Sequence, residues 1–197
     1  MSTQEKSNTK LSLNHAEFIV LGLIAEYSSH AYDINKRIEE RGMRDWTNIG
    51  RSSIYRVIKS LEKKGLTNKW IEEVDNRTLK IYNITENGSR ILKKKVFNVI
   101  SEFMGKKDED FYVAFSMLPL LTQEEQIKAI NHSLDKIKKH KKGLERMLKQ
   151  NSHTPLNVRG LFEHPIRILG TDIEFLEWVL EEIMKGGGQI DPESYGK

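Results

Sequence analysis

Apolar residues recur along this chain in two rhythms, and the change from one to the other marks its parts. From Leu13 to Ala25 runs an apolar stretch holding Phe18, Ile19, Leu21, Leu23 and Ile24. Asn14 stands at its start as an N-cap, so the pattern predicts a buried first helix. In YSSHAYDINKRIEERG, Ala31, Ile34 and Ile38 fall at helical spacing on one face. Ser28 or Ser29 is placed to cap this second helix, and Gly42 to end it. A third helix is expected from Arg51 to Lys64, with Ile54, Val57, Ile58 and Leu61 at i, i+3, i+4 and i+7. Gly65 supplies its C-cap and Leu66 the apolar residue that follows.

Period two then takes over. LTNKWIEEV and TLKIYNIT are rich in β-branched and aromatic residues, with DNR between them. They predict a two-stranded hairpin turning near Asn76, with Arg77 at its tip and Lys69 and Lys80 along its sides. Thr85 caps a further helix through TENGSRILKKKV. Three helices followed by a hairpin predict a winged helix-turn-helix over residues 11–95, after a disordered arm over residues 1–10. In that fold the second helix crosses the DNA backbone and the third enters the major groove.

The rest reads as helical. Residues 108–121 are apolar with Phe111, Tyr112 and Phe115, and Pro119 limits the helix. Thr122 and Glu125 form a capping box. The helix after it carries Ile127, Ile130, Leu134, Ile137, Lys141, Leu144 and Leu148, a heptad seam broken at Lys141. HTPLNVRG reads as a linker. Beyond Pro165 a second seam follows in Ile166, Leu169, Ile173, Leu176, Leu180 and Ile183, stopped by Gly186–Gly188. Two such seams pack on each other and the first domain, or across a two-fold axis. The second arrangement is favoured, because one reading head alone binds a short site weakly. The fold class expected is therefore mainly α with a small β-hairpin wing: an N-terminal winged helix-turn-helix, a helical dimerisation and effector domain over residues 96–185, and a flexible tail over residues 186–197.

Charge sharpens this division. The chain of 197 residues carries a net charge of +4, but residues 1–95 hold 18 Lys/Arg against 12 Asp/Glu and residues 96–197 hold 14 against 16. The positive excess thus accompanies the winged helix, as a polyanion-binding half requires. There is no cysteine, which excludes disulfides, thiol catalysis and cysteine-ligated zinc and fits a reducing compartment. The polar opening MSTQEKSNTK is unlike a signal peptide, and no apolar run approaches a membrane span, so a cytoplasmic, non-membrane protein is expected. Six scattered histidines form no ligand pair, and neither a Gly-rich phosphate loop nor a nucleophile elbow occurs, so neither a metal, a cofactor nor an enzyme is expected.

Three stretches carry a resemblance: FIVLGLIAEYSSHAYDINKRI, SSIYRVIKSLEKKGLT and TLKIYNITENGSRIL. Together, over roughly Leu13–Leu92, they resemble the PadR family of transcriptional regulators. The family's third helix reads Ile/Leu-Tyr-Pro-x-Leu-x-x-Leu-x-x-x-Gly-Leu, and its wing ends in Tyr-x-Leu-Thr-x-x-Gly. This chain departs at Arg56, which replaces the proline, and at Asn76-Arg77, which replaces a frequent Gly-Arg. The second half is similar in plan, including Glu177-Trp178. The resemblance implies a homodimeric, repressor-like protein on a pseudo-palindromic operator in double-stranded DNA. It also implies dimerisation through the C-terminal helices, here Ile166, Leu169, Ile173, Leu176, Leu180 and Ile183, and a small aromatic or amphipathic effector.

The candidate DNA contacts follow from side-chain chemistry. Ser52 and Ser53, near the start of the third helix, are short enough for close approach, and their N–H groups suit a phosphate. The Tyr55 hydroxyl suits a phosphate, Arg56 has the reach for a guanine edge, and Lys59 and Lys63 suit the backbone. Tyr32 and Lys36 sit where the second helix would clamp the backbone, with Arg77 and Lys80 on the wing. Phe111, Phe115, Phe175 and Trp178 either line an effector pocket or serve as core and dimer contacts. The basic run from Lys136 to Lys149 is a rival DNA patch, but its charges lie around the outside of a heptad helix, which favours a solvated face. The competing reading for the whole chain is a winged-helix interaction module that binds a protein or lipid-like partner and no DNA.

Overall fold

The structure, a computed structural model, describes residues 12–47, 49–50, 53–74, 77–105, 108–150 and 153–189, with backbone alone for Val74 and Arg77. The expected N-terminal arm, Ser52, Asn76 and the tail beyond Gln189 lie outside the described residues. Two compact units divide between Lys95 and Val96.

In the first unit, α1 (His15–Glu26) opens with a capping box. Asn14 Oδ1 accepts from the Glu17 N–H at 2.9 Å, while the Glu17 carboxylate accepts from the Asn14 N–H at 3.0 Å. Its buried run Phe18–Leu21, Leu23 and Ile24 is apolar on nearly all sides, which suits only a central helix. Helices α2 (Ala31–Glu40) and α3 (Ile54–Lys63) pack with it. Ile34, Ile38, Ile54, Ile58 and Leu61 are almost wholly removed from water, each worth about 1.5–3 kcal/mol. Gly42 takes a φ of 58°, where a side chain would be strained, and ends α2 through its N–H to the Glu39 carbonyl.

The wing is β2 (Thr67–Val74) and β3 (Arg77–Ile84), antiparallel from Thr67↔Ile84 to Val74↔Arg77. A third strand was not expected. β1 (Ser29–His30) adds to the free edge of β3 through Ser29↔Tyr82 and His30↔Ile81, giving the order β1-β3-β2. This corrects the assignment of Ser28 or Ser29 as the cap of α2. The N-cap is His30, without a side-chain cap bond. The Ser29 hydroxyl instead donates to the Tyr27 carbonyl at 2.9 Å and accepts from Arg37 Nη2 at 2.6 Å. Arg37 is buried and also donates to the Leu23 carbonyl and to Glu26.

α4 (Glu86–Glu102) begins at Thr85, whose hydroxyl oxygen accepts from the Gly88 N–H at 3.0 Å and donates to the Gly65 carbonyl at 2.8 Å. The end of α3 and the start of α4 are thereby joined.

The second unit holds α5 (Glu109–Ser116), a single 3-10 turn at Leu118–Leu120 containing Pro119, α6 (Gln123–Gln150) and α7 (Leu156–Met184). Thr122 and Glu125 make the reciprocal bonds of the expected capping box. α6 and α7 pack along each other. Gln126 is wholly buried and its amide donates toward the carbonyls of Leu118, Leu121 and Gly188. One expectation fails here: α7 starts at Leu156 and runs through Pro165, so most of HTPLNVRG is helix and not linker. Proline removes one N–H and crowds the preceding turn, and a long helix held on a partner tolerates that loss.

Among the described residues no helix is long and apolar enough to cross a membrane.

Candidate nucleic-acid interface

α3 shows the clearest separation of faces. Ile54, Val57, Ile58 and Leu61 are buried, while Tyr55, Arg56, Lys59 and Lys63 are exposed. The helix is closed by Gly65, at φ 68°, whose N–H donates to the Glu62 carbonyl, and by the Leu66 N–H donating to the Leu61 carbonyl. Those two bonds make a Schellman cap and fix the helix end against the first strand of the wing. At the other end Ser53 holds the N-cap position in a helical backbone conformation, with no cap bond from its side chain. Ser52 lies outside the described residues.

Several cations of this unit are engaged inside it. Lys64 donates to the Glu17 carboxylate at 2.6 Å and to the Ser12 carbonyl. Arg44 bonds Asn35, Glu39 and the Ile49 carbonyl. Lys69, on β2, pairs with Glu62 of α3 at 2.7 Å, and the hydrogen bond and charge of Glu62 push its ammonium pKa up. These side chains hold the fold. Arg56, Lys59, Lys63 and Lys80 are exposed and have no ion pair among the described residues. In α2, Lys36 makes an exposed contact of 3.5 Å with Glu40, worth little in water, and Tyr32 is 70% exposed.

Strand register decides which side of the wing joins α3. The pairs Lys69↔Tyr82, Ile71↔Lys80 and Glu73↔Thr78 share one face. Lys69 on that face is bonded to Glu62, and the Tyr82 phenol is pushed up in pKa by burial and then by the Glu62 charge. The face carrying Lys80 is therefore the face turned to α3. Ile71, 63% exposed, sits opposite Lys80 and was missed as a candidate, although alternation from Lys69 would have found it. Glu73 is also exposed on this face and adds a negative charge to it. Arg77 begins β3 opposite Val74, but its side chain lies outside the described part.

In the second unit the four candidate aromatics form a row. Phe103 stacks on Phe111 at 3.8 Å between ring centroids, Phe111 lies 6.0 Å from Phe115, Phe115 lies 5.4 Å from Phe175, and Phe175 lies 5.9 Å from Trp178. Phe111 is buried and Trp178 is 55% exposed, so the row runs from core to surface. Each ring is in contact with the next. A shallow concavity elsewhere is lined by Leu156, Arg159, Gly160, Glu163, His164 and Arg167 of one helix and includes none of these aromatics.

The six residues of the expected dimer seam divide into two rows. Leu169, Leu176 and Ile183 are buried within the unit, so this row is engaged inside the chain. Ile166, Ile173 and Leu180 are half-buried. At about 100° per residue Phe162, also half-buried, and Met184, 60% exposed, extend that second row.

Residues 20–94 match the Transcriptional regulator PadR-like family. Among solved structures, Bacillus subtilis PadR in complex with operator DNA is 17% identical over 87% of this chain and 99% of that one, with a TM-score of 0.41. The PadR-like transcriptional regulator BC1756 from Bacillus cereus is 19% identical over 89% of this chain and 99% of that one, with a TM-score of 0.38. The smu.1704 protein of Streptococcus mutans UA159 is 27% identical over 39% of this chain and 68% of that one, with a TM-score of 0.32. No curated protein matches the chain.

Proposed function

We propose, taking residues 20–94 as a domain of the Transcriptional regulator PadR-like family, that this chain is a transcriptional repressor whose α3 reads operator DNA in the major groove. The observation that carries the reading is the cationic stripe of Arg56, Lys59 and Lys63, unpaired among the described residues and directly behind the buried stripe of the same helix. A solvated face would gain from carboxylates beside those cations. Here Glu62 is turned to Lys69 instead. Arg56 supplies the fork that suits a guanine edge, and Lys59 and Lys63 supply charge to phosphates. Ser53 and Tyr55 add short hydrogen bonds at the helix start, Tyr32 and Lys36 clamp the backbone from α2, and Lys80 reaches it from the wing.

One such head covers few base pairs, so two copies are needed for a specific site. The half-exposed row of Phe162, Ile166, Ile173, Leu180 and Met184 is the surface that a second copy would cover. Half-sites then lie about 10 bp apart. A flat aromatic or amphipathic effector would extend the aromatic row at Trp178, its exposed end.

The test is binding of the full chain to a duplex from its own promoter region, followed by anisotropy across a salt series. Saturable binding that weakens steeply with salt supports the reading. The R56A/K59A variant is expected to lose that binding and keep its fold. If folded wild-type protein leaves the duplex unshifted at low salt, the reading fails, and binding of another partner that survives R56A/K59A would establish the interaction module instead.

A further inference from the structure

Residues 96–197 have a small negative net charge, with 14 Lys/Arg against 16 Asp/Glu, yet eight of those fourteen cations lie in α6. Lys139, Lys142, Arg146 and Lys149 follow one another at steps of three, four and three, which a helix turning about 100° per residue gathers on a single stripe. That stripe is opposite Ile130, Leu134 and Ile137, which are buried. All four cations are exposed, and none has an ion pair among the described residues. Their neighbours differ: Lys136 pairs with Glu102, Lys138 with Glu177 at 2.6 Å, and Lys141 with Glu145 at 3.3 Å. The carboxylates that pair these neighbours lie beside the stripe; Asp135, exposed one turn before Lys139, closes its upper end, and from Lys139 to Lys149 the row itself holds cations alone.

Complementing the helix dipole accounts for part of this. The dipole acts within the last turn, and α6 ends at Gln150. Lys149 and Arg146 fall in or near that turn, whereas Lys139 and Lys142 lie well before it.

We infer that this stripe is a second phosphate-binding surface for duplex DNA, indifferent to base sequence and additional to α3. The inference rests on the DNA-binding reading above. Charge complementarity selects a polyanion, and the absence of apolar residues from the stripe selects among polyanions. A protein interface needs aromatic or aliphatic anchors and is depleted in lysine. A membrane-surface helix needs a free apolar face, and the apolar face of α6 is buried against α7. Phosphate binding needs only charge, because it is driven by counterion release. The stripe is about 15 Å long at 1.5 Å per residue, which matches about four phosphates along one strand at 3.4 Å of axial rise each.

The test uses the full chain, a duplex from its own promoter region and an unrelated duplex of equal length. The K139Q/K142Q/R146Q/K149Q variant is expected to bind both duplexes tenfold or more weakly at moderate salt. Its plot of log affinity against log salt is expected to be shallower by about two to four, at about 0.9 per phosphate contact. K139R/K142R/K149R, which keeps the charge, is expected to match wild type, and circular dichroism is expected to show all variants equally helical. Wild-type affinity and slope in the glutamine variant, with binding still abolished by R56A/K59A, would overturn the inference and leave the α3 reading intact. Failure of the wild type to bind any duplex would remove both. Loss confined to a poly-glutamate probe would overturn it in favour of an acidic protein partner.

Discussion

The Lys64 ammonium stands 2.6 Å from the carboxylate of Glu17, a residue 47 positions earlier and only 2% exposed. The Ser60 hydroxyl donates to the same carboxylate at 2.8 Å, so two residues of α3 are tied to the first turn of α1. The outward stripe of α3 is aimed by this buried acid.

Burial alone pushes the Glu17 carboxyl up. Hydrogen bonds from Lys64, the Asn14 N–H and Ser60, together with the Lys64 charge, outweigh it and hold the carboxyl below its ordinary value of 4.5. A depressed folded-state pKa contributes stability that is complete above the unfolded value and lost as pH falls through the folded one. Thermal melts from about pH 6 to about pH 3 should therefore fall more steeply for wild type than for Glu17→Gln. At neutral pH Lys64→Met should cost about 1–3 kcal/mol, since it leaves a buried carboxylate without its charged partner.

Two glycines in helices should respond to alanine with opposite signs. A Cβ on Gly88 would stand 2.2 Å from the Leu66 carbonyl oxygen, a backbone atom that cannot swing aside. Gly88→Ala should cost about 1–3 kcal/mol by overpacking. Gly143, inside α6, would meet nothing within 4 Å. Gly143→Ala should stabilise by about 0.5–1 kcal/mol through helix propensity alone. Urea denaturation of both variants checks the pair.

Gln126 is the point where a conservative change should do most harm in the second unit. Its amide nitrogen faces three carbonyls, those of Leu118, Leu121 and Gly188. Gln126→Glu replaces the donor by acceptors and should be more destabilising than Gln126→Leu at neutral pH, with the gap closing as the acid is protonated. Gln126→Leu should itself cost about 1–3 kcal/mol, because the Gly188 carbonyl loses its bond from Gln126, whereas the Leu118 carbonyl keeps the Leu121 N–H and the Leu121 carbonyl keeps the Gln189 amide at 3.5 Å. Melts at two pH values separate the variants.

On α3, Lys59→Ala and Arg56→Ala should differ in kind. The first should weaken binding to all duplexes alike and make the salt dependence shallower by about 0.9. The second should cost about 1–3 kcal/mol on the operator and little on unrelated sequence. Anisotropy titrations against both duplexes resolve the two effects.

Much of this is legible in the sequence. Stripe period gave α3, and local capping chemistry gave Asn14, Gly65, Thr85 and Thr122, because caps are decided within a few residues. β1 was not readable: two residues carry no period, and Ser29–His30 becomes a strand only because β3 offers an edge. Pro165 reads as a boundary in the sequence, whereas packing against α6 carries α7 through it. The seam of α7 showed its spacing but not its partner, so the row engaged at Leu169, Leu176 and Ile183 was indistinguishable from the row left half-open. Nothing local in the sequence marks Lys64 and Lys69 as structural, and only their long-range partners Glu17 and Glu62 reveal that they are.

The pairing of Ser29–His30 with Ile81–Tyr82 also decides how the wing can behave. His30 Nδ1 lies 3.3 Å from the Lys80 carbonyl, and Ser29 is gripped by Arg37 from within α2. The hairpin is therefore no flap on a swivel. It is bolted at its base to the entrance of α2, so β3 and the helix that carries Tyr32 and Lys36 share one anchorage.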